Sequence, residues 1–115
     1  MRPHSVGKNL TANTKTTVFT VPTRNIAKWV LAHVGNHTGS NKAVSLWWYD
    51  SSENIEVVVI DAYNLDARKF IEFGNGNYIV LDEGDEIRVT SETGSSMSIL
   101  ITVELDQRST VQQFN

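Results

Sequence analysis

Apolar and polar residues alternate with a period of two through most of the chain, and clusters of Gly, Asn, Asp and Ser interrupt the alternation at short intervals. The clearest run is Met97 to Leu105. There Met97, Ile99, Ile101, Val103 and Leu105 fall on one face and Ser98, Leu100, Thr102 and Glu104 on the other, the pattern of a strand with one side in a core. The stretch Tyr78 to Thr90, YIVLDEGDEIRVT, predicts two short strands folded into a hairpin about a tight turn at Asp82-Glu83-Gly84-Asp85. Gly84 can take positive φ without steric cost, and the acidic side chains are expected to bond to the turn's own amides and stay solvated.

The same reasoning predicts further strands at Thr16 to Val21, ended by Pro22, and at Ile26 to Val34. The second of these also carries a helical spacing of apolar residues. Nine residues between Pro22 and the loop Gly35 to Asn41 suit a strand better than a free helix. Both of its alternating sets are apolar, as in a central strand covered on both sides. Lys42 to Asp50 places Val44, Leu46 and Trp48 toward the core and leaves Trp47 and Tyr49 pointing outward. A turn at Ser51 to Asn54 leads to Ile55 to Ala62, and Lys69 to Phe73 precedes the Gly74 to Asn77 turn.

Eight strands with turn residues between them predict an all-β fold, a single eight-stranded antiparallel β-sandwich of jelly-roll or Ig-like type. The expected organisation is an extended N-terminal arm at 1–14, the sandwich at 15–105 and a C-terminal tail at 106–115 with a lone Phe114.

Composition adds bounds. A chain of 115 residues with 40% hydrophobic and 20% charged content suits one globular domain. No apolar run approaches the roughly 20 residues of a spanning helix, so no membrane contact is expected. Arg2 is not followed by an apolar segment, which argues against a secretory signal and for folding in a cytosol. The absence of cysteine agrees with that and removes disulfides and thiolate sites.

The charge is unevenly placed. Residues 1–49 hold six basic residues and no acid, whereas 50–115 hold four basic residues and all 13 acids. Interleaved strands would turn this into cross-strand attraction. Alternatively the basic arm, with Arg2, Lys8 and Lys15, lies on an acidic neighbour while Phe114 plugs an apolar notch. No dense basic patch with interleaved aromatics suggests nucleic acid.

The order TTVFTVP, VGNHTGSN, SLWWYDSS and LDEGDEI resembles a group of small structural proteins of marine and cyanobacterial tailed phages, over roughly Thr16 to Leu105. The chain departs from the simplest members in its longer arms and extra tryptophan. The resemblance implies a β-sandwich without catalytic residues that attaches to other virion proteins. It implies a capsid decoration or cement protein on the major capsid protein, a homotrimer or other homo-oligomer, located in the virion and assembled in the host cytoplasm. The alternatives are a tail, fibre or baseplate module, or a carbohydrate-binding sandwich.

Catalytic chemistry finds no foothold in the sequence. There is no Gly-x-Ser-x-Gly, HExxH or phosphate loop, so no enzyme, catalytic residue, cofactor or metal is expected. Asp82, Glu83, Asp85 and Glu86 match no calcium-loop spacing and suit a solvated turn better. The acceptor patterns at Asn9 and Asn36 are taken as chance. Outward aromatics remain: Trp47 and Tyr49 suit a protein interface or a sugar ring, unless a segment of the same chain covers them. The expected interface residues are therefore Arg2, Lys8, Lys15, Trp47, Tyr49 and Phe114.

Overall fold

The computed structural model describes residues 2–74 and 76–108, and among these it contains nine strands and no helix. They are β1 (Arg2–Asn9), β2 (Thr16–Thr20), β3 (Asn25–Asn36), β4 (Lys42–Asp50), β5 (Ile55–Leu65), β6 (Phe70–Phe73), β7 (Ile79–Leu81), β8 (Glu86–Ser91) and β9 (Met97–Gln107). Two antiparallel sheets face each other. One runs β1-β9-β3-β6, with β7 also paired to β3; the other runs β2-β8-β4-β5. Leu46, Leu81, Ile87, Ile99 and Ile101 fill the space between them and are fully buried.

The ninth strand is the one the alternation did not announce. Residues 2–9, expected as part of an extended arm, pair along their whole length with β9, from Arg2 opposite Leu105 to Asn9 opposite Ser98. Val6 and Leu10 pack against the core, so this segment is held by its own domain. The edge position explains why it is polar: β1 is bonded on one side only and has little to bury. At the other end β9 continues to Gln107, two residues past the expected boundary, and Phe114 lies outside the described residues.

Tyr78 to Thr90 is not a hairpin. β7 pairs with β3 in one sheet and β8 pairs with β2 and β4 in the other, so the turn at 82–85 carries the chain across the sandwich. Gly84 does take positive φ, at 84°. Asp85, however, is not solvated. It is 2% exposed, and each carboxylate oxygen accepts two bonds. Oδ1 receives the backbone N–H and the hydroxyl of Ser51, both at 3.0 Å; Oδ2 receives the Trp48 indole N–H at 3.2 Å and the Asp82 N–H at 2.9 Å. A buried carboxylate needs this many donors to replace its lost water.

β3 has two apolar faces for a reason other than double cover. Its register against β9 shifts between Trp29 and Leu31, so Ala27 and Trp29 face inward before the bulge, and Ala32 and Val34 face inward after it. The Trp29 indole N–H donates to the Leu31 carbonyl at 3.0 Å across that irregularity. Gly74, at φ 128°, passes so close to the Val30 carbonyl that a β-carbon there would collide with it. The bulge thus leaves β6 and β7 to pair with successive halves of β3.

Candidate interaction surface

β4 sits between β8 and β5, and its alternation puts Val44 and Leu46 in the core and Trp47 and Tyr49 on the outer face. Register then decides their neighbours. Trp47 lies opposite Arg88 on β8 and Val58 on β5; Tyr49 lies opposite Glu86 and Glu56.

Those neighbours join into one network. The Lys15 ammonium sits 4.0 Å from the Trp47 ring centroid and donates to Glu56 Oε1 at 2.6 Å. The Arg88 guanidinium lies 4.0 Å from the Tyr49 ring and donates to Glu56 Oε2 at 3.0 Å and Glu86 Oε1 at 2.9 Å. Thr17 donates to the same Glu86 oxygen at 3.0 Å, and the Tyr49 hydroxyl donates to Asn54 Oδ1 at 2.6 Å. The Lys15 hydrogen bond, helped by Arg88 and opposed by desolvation, holds the Glu56 carboxyl below the ordinary carboxylate range. Burial works against the Arg88 charge, but its bonds to Glu56 and Glu86 win and raise its pKa.

Lys15, Trp47 and Tyr49 are therefore brought together, as parts of a face that is already cross-linked. Each ring has a cation on one side, which leaves less of it for a sugar to stack on. Arg2 and Lys8 are elsewhere, on β1 at the edge of the other sheet. The pairing residues Glu56 and Arg88 were missed in the sequence, although both lie on the polar phase of their strands' alternation.

A second surface was also missed. β5 is an outer strand bonded only to β4, and it exposes Ile55 (51%), Val57 (38%), Val58 (49%) and Tyr63 (45%). An eleven-residue edge strand with four exposed large apolar side chains is an open invitation to another strand. Beside it, an apolar pocket of about 190 Å³ opens between the sheets, lined by Trp29, Leu31, Leu46, Ile60, Phe73 and Ile79.

The acidic turn offers no ion cage. Glu83 accepts the Arg24 N–H at 2.9 Å, Asp82 pairs with Arg108 at 2.6 Å and Glu86 with Arg88, so the carboxylates point apart. Among the described residues no three His, Asp or Glu side chains converge in a way that would hold a metal. Asn36 of the NHT pattern is 1% exposed, and its amide donates to the Ser40, Leu65 and Asp66 carbonyls, so it clamps the loop.

No family model matches the chain, and no curated protein matches it either. Among solved structures, it is similar to a chain of the Bacillus endospore appendages, described as a novel family of disulfide-linked pili. The likeness covers 93% of this chain and 88% of that one at a TM-score of 0.50, with 13% sequence identity, and it is a likeness of fold.

Proposed function

We propose that this chain is a non-enzymatic structural protein of a phage virion, a capsid decoration or cement protein that binds the major capsid protein lattice and stabilises the head. The observation that carries this reading is the exposed apolar edge strand β5, a surface of the kind that protein contacts cover. Two further features support it. The ordered segments from TTVFTVP to LDEGDEI resemble small phage structural proteins, and the similar solved fold belongs to subunits that build pili. With no cysteine, the sequence has nothing with which to form the disulfide links named for those pili.

A tail, fibre or baseplate module would use the same surface, and copy number separates the two. Quantitative mass spectrometry of purified particles is expected to find this chain in numbers comparable with the major capsid protein. A handful of copies would move it to the tail. Absence from the particles would overturn the virion reading.

A further inference from the structure

The sandwich has two lateral sides of opposite character. On one side β1 lies over β2, with the rings of His4 and Phe19 5.9 Å apart; on the other β5 lies over β6, with the Tyr63 and Phe73 rings 6.1 Å apart. The first side, residues 2–24, carries Arg2, Lys8, Lys15 and Arg24 and no acid. The second is led by residues 50–66, which carry Asp50, Glu53, Glu56, Asp61 and Asp66 and no base, before Arg68 and Lys69 in the turn to β6.

Folding neutralises only part of this. Lys15 and Glu56 meet across the outer face, and Asp50 accepts bonds from Ser52. Among the described residues the side chains of Arg2, Lys8 and Arg24 form no ion pair, and neither do those of Glu53, Asp61 and Asp66. Arg68 and Lys69 form no ion pair either, so the acidic excess of the second side belongs to β5 and the turn before it, with Glu53 and Asp61, whereas the first side keeps Arg2, Lys8 and Arg24.

We propose that copies of this chain associate head to tail, the basic β1–β2 side of one copy seating against the acidic, apolar β5 edge of the next. This deepens the structural-protein reading above and rests on it for its setting. Charge complementarity chooses the occupant. A two-fold contact between two antiparallel β5 strands, centred between Val58 and Val59, would instead set Glu56 of each copy opposite Asp61 of the other, a like-charge arrangement that disfavours pairing and that Lys15 and Arg88 offset only on the Glu56 side. On β1, Pro3 has no N–H to offer a partner, so the usable edge is Ser5 to Asn9, where the side chains are small apart from Lys8. A head-to-tail contact closes into a ring when its rotation closes, and a homotrimer would be such a ring of three; otherwise it gives a filament.

Sedimentation velocity of the full chain tests this with two variants, Lys8→Glu on β1 and Val58→Lys on β5. Wild type is expected at multiples of 12.9 kDa, with association weakened in 1 M salt. Each variant alone is expected at 12.9 kDa, while an equimolar mixture forms a two-copy species, because each partner keeps one intact side. Lys8→Glu that still dimerises alone would show a β5–β5 contact and overturn the proposal. A monomeric wild type, or a mixture that stays monomeric, would overturn it as well. Circular dichroism checks folding, and Asp61→Lys replaces Val58→Lys if the latter unfolds. The virion reading fails separately: a monomeric chain abundant in heads sinks only the edge contact, and an associating chain absent from particles sinks only the virion role.

Discussion

The indole N–H of Trp48 donates to Asp85 Oδ2 at 3.2 Å, and this bond ties the centre of one sheet to the corner where the chain leaves the other. Ser51 and Asp82 supply the remaining three donors, so the carboxylate organises both the β4–β5 turn and the β7–β8 crossing. Asn is a poorer substitute: with its NH2 group in place of Oδ1, the Ser51 hydroxyl can turn its proton to the Glu83 carbonyl, 3.2 Å away, and accept from the amide, but the Ser51 N–H loses its acceptor. Asp85→Ala is expected to cost about 2–4 kcal/mol, from several buried donors left unsatisfied, and Asp85→Asn about 1–3 kcal/mol, from one. Urea unfolding midpoints check this, and an Asn variant of wild-type stability would show that the charge is dispensable.

Gly84 stands at the same corner. Its φ of 84° lies in the left-handed region, and a β-carbon there would sit 2.9 Å from Ser51 Oγ, the hydroxyl that serves Asp85. Gly84→Val should therefore lose on two counts, backbone strain of about 1–3 kcal/mol and displacement of Ser51. Gly84→Ala, which meets the same contact with less strain, is expected to fall between. Equal midpoints for all three chains would mean that the corner yields.

Period-two alternation made the strands legible because it records which face of each strand is buried. Lys42–Asp50 appears with the expected bounds, and Trp47 and Tyr49 face outward as their phase required. Pairing is another matter. Ile79 and Leu81 before the turn and Ile87 and Val89 after it all point into one core, and that pattern is the same whether the two strands lie side by side or in opposite sheets. Only Asp85, buried among donors from three segments, distinguishes the cases, and its partners are far apart in sequence. The first strand was hidden for the opposite reason: an edge strand with one inward Val6 has no alternation to show. The bulge at Val30 likewise imitated a strand buried on both faces.

The candidate surface was half visible. Outward phase found Trp47 and Tyr49, but the cations over them come from Lys15 and Arg88, which only the β2-β8-β4 order brings near. The β5 edge was read as a strand of β-branched residues, and nothing in IEVVVIDA says that no strand follows it in the sheet.

The adjacent tryptophans should behave differently. Trp48 packs against the core and serves Asp85, so Trp48→Ala is expected to cost about 3–5 kcal/mol in folding. Trp47 lies on the outer face under Lys15, where a cation–π contact contributes about 0.5–1 kcal/mol, and Trp47→Ala should cost about that much. Chemical denaturation of both variants measures the contrast. Equal and large losses would place Trp47 in the core and reverse the facing of β4.

Glu56 gives the face a pH signature. Lys15 first, and Arg88 with it, hold its carboxyl below the ordinary range in the folded chain. A depressed carboxyl stabilises the fold at pH above its unfolded value, about 4.3, and that contribution is lost as pH falls through the folded value. Glu56→Gln should therefore be less stable than wild type at pH 7, by at most about 1 kcal/mol because the cluster is open to solvent. The two chains should converge on acidification through the depressed folded value, where wild-type Glu56 becomes protonated. Lys15→Met removes the largest cause and should shift the Glu56 carboxyl titration upward when followed by NMR. A midpoint difference between wild type and Glu56→Gln that persists at acid pH would show that the glutamine acts by packing, and that the ion pairs with Lys15 and Arg88 add nothing to the fold.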